Sequence, residues 1–485
     1  MPKKNTTTNA TAPISVRMYR QGLGDCFLIR FPRATGDAFN MVIDCGVVLG
    51  TPDPQTPMHK VVTDLSTVTK GTIDLLVATH EHWDHVSGFN QAKELFDAIT
   101  VRNVWVAWTE DPTDALANQL RTERQTTEEA LRMAVHHLAL SGDTDKAQDV
   151  NSLVSFFGAA AGTTADAMTY AKEKVKPEKP RYCEPGKPPI ELEELPGIRF
   201  YVLGPPKDEK LIKKSNPGQN EAYGLDAGPN GSQAMLVAGL MRASAAPDDT
   251  EEQSAMNPFD NEYCISMDRA AQLPFFQQHY FSDPAPEPAA KKPAKVTPDQ
   301  TWRRIDSDWM GASETMALQL DSATNNTSLV LAIEIVASGD VLLFPGDAQA
   351  GNWLSWQTLT WKVNDKTVTG PDLLARTTFY KVGHHGSHNA TLKAKGLELM
   401  VNDALVAMIP VDHDMAVKKR WGRMPLPELV DRIKEKTHGR MLKVDDDVKA
   451  KEDLAKLKPA GVSAADWQAF TDRVAVTDLY YEITV

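Results

Sequence analysis

The segment Thr79-His80-Glu81-His82-Trp83-Asp84-His85 constrains this chain more than any other. Ahead of it, Ile73-Asp74-Leu75-Leu76-Val77-Ala78 reads as a short buried strand. Behind it, Ser87-Gly88 and the spacing Phe89…Ala92…Leu95-Phe96 read as a helix opening. Three imidazoles and a carboxylate therefore crowd one strand-to-helix corner. His80 and His82, two apart at the end of an extended segment, can face one cation, and Asp84 and His85 can reach a second. Neutral imidazole nitrogen and carboxylate oxygen are the donors zinc takes in hydrolytic sites. A histidine-rich surface turn is the plain alternative, and a motif this dense favours the metal.

Five further segments follow the same logic of small turns around chemistry-bearing residues. They are Gln21-Gly22-Leu23-Gly24-Asp25, Val42-Ile43-Asp44-Cys45-Gly46, Asn325-Asn326-Thr327-Ser328, Phe344-Pro345-Gly346-Asp347 and Lys381-Val382-Gly383-His384-His385-Gly386-Ser387. Together with His80-x-His82-x-Asp84-His85 they resemble the metallo-β-lactamase fold superfamily, and within it the hydrolase domain of DNA-internalisation competence proteins. The resemblance runs over about residues 14–425. It implies an α/β fold, a four-layer αββα metallo-β-lactamase sandwich with large helical and irregular insertions at about 113–195 and 207–320. A disordered tail at 1–13 would precede this domain, and a helix-and-strand extension at 426–485 would follow it.

The resemblance also implies two divalent metal ions, zinc or manganese, held by His80, His82, Asp84, His85, Asp347 and His385, with Asp347 shared between them. Spacing alone does not choose between His384 and His385. The resemblance puts His385 on a metal and His384 toward substrate. Asp84, His384 and Lys381 are the candidate catalytic residues, with Asp44 and His388 supporting the ligands. From the residues alone, Asp44 reads equally well as a turn former before Gly46, Lys381 as a solvated strand end and His388 as a surface turn residue. Asp25 reads as structural.

The pattern departs from the superfamily in two places. Near Gly204-Pro205-Pro206 many members carry a further ligand histidine, and none is present here. The centre of His80 and His82 then needs water or another side chain as its fourth donor. Trp421-Gly422-Arg423-Met424-Pro425 lacks the histidine of a Gly-His-Pro turn, and nearby His413 reads as a loop-surface residue. His136, His137 and His279 likewise read as structural or surface residues.

Composition narrows the class. Hydrophobic content of 42% and charged content of 24% are those of a soluble globular protein. No run approaches about 18 apolar residues, and the lysines near Met1 have no apolar core behind them. A cytoplasmic protein without a membrane segment is the expectation. Cys26, Cys45, Cys183 and Cys264 lack metal-like spacing and read as reduced thiols. The net charge of −13 argues against a general nuclease, because nucleic-acid binding gathers lysine and arginine. Lys418-Lys419-Arg420, with Arg423 behind, is the candidate basic groove and reads first as a solvated run.

Along the chain, strands are expected at 14–19, 26–31, 40–44, 101–108 and 198–203, a hairpin at 328–336 and 341–344, and strands at 377–382, 404–411 and 476–485. Helices are expected at 114–140 and 426–436, and the Pro-rich run 283–293 reads as a linker. The function this supports is a metal-dependent hydrolase. A hydroxide activated between two metals would attack phosphodiester bonds, as in a nuclease or phosphodiesterase. Hydrolysis of a small ester, lactone or amide is the first alternative. A non-catalytic interaction module is the second. No protein partner is named by any motif.

Overall fold

The computed structural model describes residues 13–33, 36–140, 147–148, 150–151, 163–218, 221–223, 267–270, 272–279, 320–419, 421 and 423–485. The tail up to residue 12, the 283–293 linker, Cys264, Arg420 and most of the 207–320 stretch lie outside them. The chain forms two compact units: Met1–Thr122, Ser155–Pro229 and Gln319–Val485 in one, Glu123–Val154 and Asn230–Leu318 in the other. The described parts of the second unit are helical. They are the later turns of Ala115–Leu140, with Met267–Ala270 and Pro274–His279.

The first unit is built on two sheets. The strands of these two large sheets are β1 Ser15–Tyr19, β2 Cys26–Phe31, β3 Phe39–Cys45, β4 Leu75–Ala78, β5 Val104–Ala107, β6 Arg181–Cys183 and β7 Ile198–Gly204. They continue with β8 Val330–Ile335, β9 Asp340–Phe344, β10 Thr377–Lys381, β11 Val406–Ile409, β12 Met441–Lys443, β13 Val474–Val476 and β14 Tyr480–Thr484. One sheet has the order β13-β14-β1-β2-β3-β4-β5-β6, and the other β12-β11-β10-β9-β8-β7. Pairing is antiparallel through β1, β2 and β3 and parallel through β3, β4, β5 and β6. In the second sheet β7, β8 and β9 are antiparallel, and β9, β10, β11 and β12 are parallel.

Strand alternation sends one set of side chains into a shared core between the sheets. Phe27 of β2 packs edge-on against Phe344 of β9, with centroids 5.8 Å apart, and Phe344 stacks on Phe379 of β10 at 5.3 Å. Each such fully buried aromatic contributes roughly 1.5–3 kcal/mol. The opposite face of the first sheet carries Leu28, Val42 and Leu76. It is covered by α1 Gln55–Val68, α2 Trp83–Gln91 and α3 Thr164–Glu173. On the second sheet, Tyr380 turns outward onto Trp353 of α4 Ala350–Trp356, at 6.3 Å. The layers therefore run helix, sheet, sheet, helix, as the resemblance implies.

Three local readings change. Asp74 interrupts the strand expected at 73–78, because its carboxylate accepts from the Asn40 amide and pairs with Arg33 and Arg102. The stretch assigned to insertion at 113–195 returns to the first unit early. There α3 packs on the outer core and β6 forms the sheet edge. Residues 426–485 supply strands to both sheets: β12 lies beside β11, and β14 beside β1. No helix among the described residues is long and apolar enough to cross a membrane.

Candidate metal centre

The parallel strands bring their C-terminal ends together, and the candidate residues sit there. Asp44 is the next-to-last residue of β3, the histidine motif follows β4, Asp347 follows β9, and His384 and His385 follow β10. Loops from both sheets are stitched across this seam. Leu329 donates from its amide to Thr79 O at 2.8 Å between the sheets, and within the loops of the second sheet the Asp347 amide donates to Ser328 Oγ at 3.0 Å.

Inside the motif, α2 begins earlier than the sequence suggests. His82 is still extended, with φ −111° and ψ 150°, and Trp83 opens the helix. His80 and His82 thus belong to the extended lead-in, and Asp84 and His85 to the first helical turn. That turn lies directly against Gly46, where an added Cβ would stand 2.5 Å from the Asp84 backbone. Only glycine permits this approach.

Two donor clusters result. In one, Asp84, His85, Asp347 and His385 each offer a buried ligand atom, all within 4.8 Å of one another. His385 Nε2 lies 2.8 Å from Asp84 Oδ2, and His85 Nε2 lies 3.1 Å from Asp347 Oδ2. In the other, His80 Nε2 and His82 Nδ1 stand 3.1 Å apart beside Asn325. The rings of His80 and His85 are 4.2 Å apart, so the clusters adjoin.

The atoms behind these donors fix their direction. His85 Nδ1 donates to Asp44 Oδ2 at 2.8 Å, while Asp44 also accepts from the Thr79 amide at 2.8 Å and the Thr79 hydroxyl at 2.7 Å. His385 Nδ1 donates to Pro410 O at 2.6 Å. With both Nδ1 positions protonated, both Nε2 lone pairs point at carboxylates, a repulsive arrangement unless a cation or an extra proton intervenes. Buried Asp84 Oδ1, His85 Nε2 and Asp347 Oδ2 have no hydrogen-bond partner among the described residues. A divalent cation satisfies all of these at once, and the donor set of imidazole and carboxylate suits one.

The charge balance agrees. Burial lowers the His85 pKa, but Asp347, Asp25, Asp84 and Asp44 more than reverse this and raise it well above the usual value. His385 is raised in the same way, with Asp84 as its closest partner. Burial holds His80 well below its usual value and brings His82 to about 3, so both present neutral rings.

Lys381, expected either to reach substrate or to lie solvated at a strand end, does neither. Its side chain is 2% exposed, and its Nζ donates to Asp25 Oδ2 at 2.5 Å, Asp347 Oδ1 at 3.0 Å and Gly346 O at 2.8 Å. All three N–H bonds are used, so Lys381 braces the carboxylates from behind. Asp25, Asp44 and His85 also converge, but the Lys381 ammonium already takes the cation's place beside Asp25. His388, expected to support the ligands, is exposed. Ser387 and Pro410 hold the paired histidines instead. His384 and His385 both have positive φ, 46° and 52°. This left-handed turn sends His385 inward and leaves His388, three residues later, at the surface.

His384 is kept out of the Asp84 cluster. Its Nδ1 faces Ser387 Oγ at 2.9 Å, its Nε2 faces Asn325 Nδ2 at 3.4 Å, and burial lowers its pKa to about 4. At neutral pH it is an uncharged ring, not a resident acid. Asp321 was not singled out by any motif. Its Oδ1 lies 3.7 Å from His82 Nε2, and burial with the charges of Asp84 and Asp347 pushes its carboxyl to about 8. No spacing signal marks it, because it meets His82 only through the fold.

Asp44→Asn should weaken metal affinity roughly 10–100-fold, the usual effect of removing a partner behind a ligand histidine. Asparagine tolerates the φ of 56° at this position, so the change is chemical rather than conformational. Titration of the metal-free protein with zinc measures it, and an unchanged affinity would show that Asp44 serves the turn alone.

A search of curated proteins gives no match to this chain. Residues 19–117, which include Asp25, Asp44 and the whole histidine motif, match the family model described as Metallo-beta-lactamase superfamily. Residues 19–117 thus carry a metallo-beta-lactamase superfamily match, and it lies within a two-sheet sandwich that gathers a buried donor cluster.

Proposed function

We propose that this chain is a divalent-metal-dependent hydrolase that cleaves phosphodiester bonds. The observation that carries the reading is the meeting of Asp84, His85, Asp347 and His385 with lone pairs turned on one another. The adjoining His80 and His82 favour a two-ion site, and paired ions suit in-line displacement at phosphorus. When bound, such ions lower the pKa of a water to near 7 and offset charge developing on the substrate oxygens.

The chain's own residues hold this chemistry in place. Asp44 and Pro410 O set the His85 and His385 rings. Lys381 and the His384 amide occupy Asp347 Oδ1, the latter at 2.9 Å, which leaves Oδ2 as the oxygen for a cation. His384, neutral and held between Ser387 and Asn325, orients a substrate oxygen rather than delivering a proton at once.

Small or short phosphodiesters are favoured over long polymers. Leu426 donates to Gly386 O at 2.9 Å, which ties the basic loop to the histidine turn. Yet Arg423 is already paired with Glu428 at 2.6 Å, and the chain carries −13. Lys418 is exposed and Lys419 half-buried, too little for a polymer groove. Reduced, buried Cys26, Cys45 and Cys183 are in keeping with a cytoplasmic setting.

Metal-loaded protein should turn over a chromogenic phosphodiester and leave a simple lactone untouched. Its rate should change by less than about 2-fold between 50 and 200 mM salt, whereas a protein making 6–10 phosphate contacts loses roughly 10³-fold or more in affinity. Lactone turnover without phosphodiester turnover would overturn the reading. A steep salt response on DNA, flattened by changing Lys418, Lys419 and Arg420 to glutamate, would restore the nuclease.

A further inference from the structure

Among the described residues no third imidazole joins His80 and His82 in their cluster, yet another donor stands beside them. Asn325 Oδ1 lies 3.1 Å from His80 Nε2 and 3.0 Å from His82 Nδ1, and the two nitrogens are 3.1 Å apart. Asn325 is fully buried. Donors bound to one ion at about 2.1 Å stand roughly 3.0–3.4 Å from each other, so the triangle has the size of a coordination face.

Hydrogen positions follow from the partners. The single Thr79 hydroxyl proton goes to Asp44 Oδ2, so Thr79 Oγ1 accepts from His80 Nδ1 at 3.1 Å. His80 Nε2 then carries a bare lone pair. The Ser387 hydroxyl donates to Asn389 Oδ1 at 2.7 Å and so accepts from His384 Nδ1, which leaves His384 Nε2 an acceptor. The Asn325 amide nitrogen thus has one acceptor for each N–H, Asp321 Oδ2 at 3.2 Å and His384 Nε2 at 3.4 Å. Its oxygen must face the histidines. Two bare lone pairs meet at 3.1 Å, and a proton on His82 Nδ1 can satisfy only one of them. A cation satisfies all three donors.

We propose that the Asn325 amide oxygen is the missing protein ligand of the ion held by His80 and His82, and that Asp321 orients it. This rests on the two-ion reading above. A neutral amide oxygen is a harder donor than imidazole, and the neighbouring centre owns two carboxylates. The ion at Asn325 is therefore the weaker bound and discriminates less between zinc and manganese.

The test uses the full chain, stripped with a chelator and titrated separately with zinc and manganese. Bound metal is counted by elemental analysis and affinity measured by calorimetry. The unaltered chain should fill in two steps to about two ions. Asn325→Ala should stop near one, with the tighter step intact and metal-free thermal unfolding unchanged. Asp321→Asn should weaken only the looser step, roughly 10–100-fold. Asn325→Asp, which keeps an oxygen in place and adds charge, should tighten that step, and it decides the matter if the alanine variant fails to fold. A looser step unmoved in Asn325→Ala or Asn325→Asp overturns the assignment while leaving the two-ion site standing. An unaltered chain that takes up one ion or none overturns the two-ion reading itself.

Discussion

Asp347→Ala should reduce turnover to background and release metal from the tighter centre. The side chain is 1% exposed, and its two oxygens have separate duties. Oδ1 is held by Lys381 and by the His384 amide, so Oδ2 alone faces His85 at 3.1 Å and His385 at 4.0 Å. Burial opposes ionisation of this carboxyl, but Lys381 and His85 outweigh it and hold the pKa well below the usual range. It is therefore a carboxylate at neutral pH. Removing it takes away a candidate ligand and the charge opposite two imidazoles. Metal catalysis supplies several kcal/mol of transition-state stabilisation, so its loss means about 10³-fold or more in rate. Elemental analysis beside a phosphodiester assay measures both. Full activity with one ion fewer would place the reaction at the other centre.

Lys381→Met should destabilise the metal-free protein by roughly 3–5 kcal/mol, the range for removing one partner of a buried ion pair. Asp25 and Asp347, 3% and 1% exposed at the side chain, would be left as unpaired buried carboxylates. Metal should reduce this loss, because a cation partly replaces the ammonium. Adding Asp25→Asn should recover part of the stability, with a coupling of about 0.5–3 kcal/mol. Urea unfolding of the single and double variants, with and without zinc, gives these numbers. If Lys381→Met lowered turnover alone, leaving stability and metal content intact, the lysine would have to face substrate after all.

How far the site could be read depended on whether its partners are neighbours in the chain. His80, His82, Asp84 and His85 lie between residues 80 and 85, so their types and spacing already limit what they can do. Asp347 and His385 sit at the ends of apolar strands, where periodicity marks the boundary. The sandwich itself was readable because most strands are near-continuous apolar runs. Asp321 and Asn325 were opaque as site residues for the opposite reason, since Asn325 meets His80 across 245 positions. Lys381 misled because a strand-end lysine looks the same whether water or Asp25 waits beyond it. His388 misled because nothing in Gly-His-His-Gly shows that the backbone there turns left-handed. The start of α2 at Trp83 was hidden because its N-cap is His82, which makes no side-chain capping bond, rather than one of the usual capping types.

The pairing of β14 with β1 has a consequence for how this protein is made. Arg17 of β1 donates to Glu482 of β14 at 2.6 Å, across 465 positions of chain. At about 5–20 residues per second, the ribosome needs on the order of 25 to 90 s between them. Throughout that interval β1, buried in the finished sheet, has a neighbour only on its β2 side. Its other edge presents an open row of backbone donors and acceptors, the kind of surface that recruits foreign strands. The nascent chain therefore passes through a long window in which pairing with a foreign strand can compete with completion of the sheet.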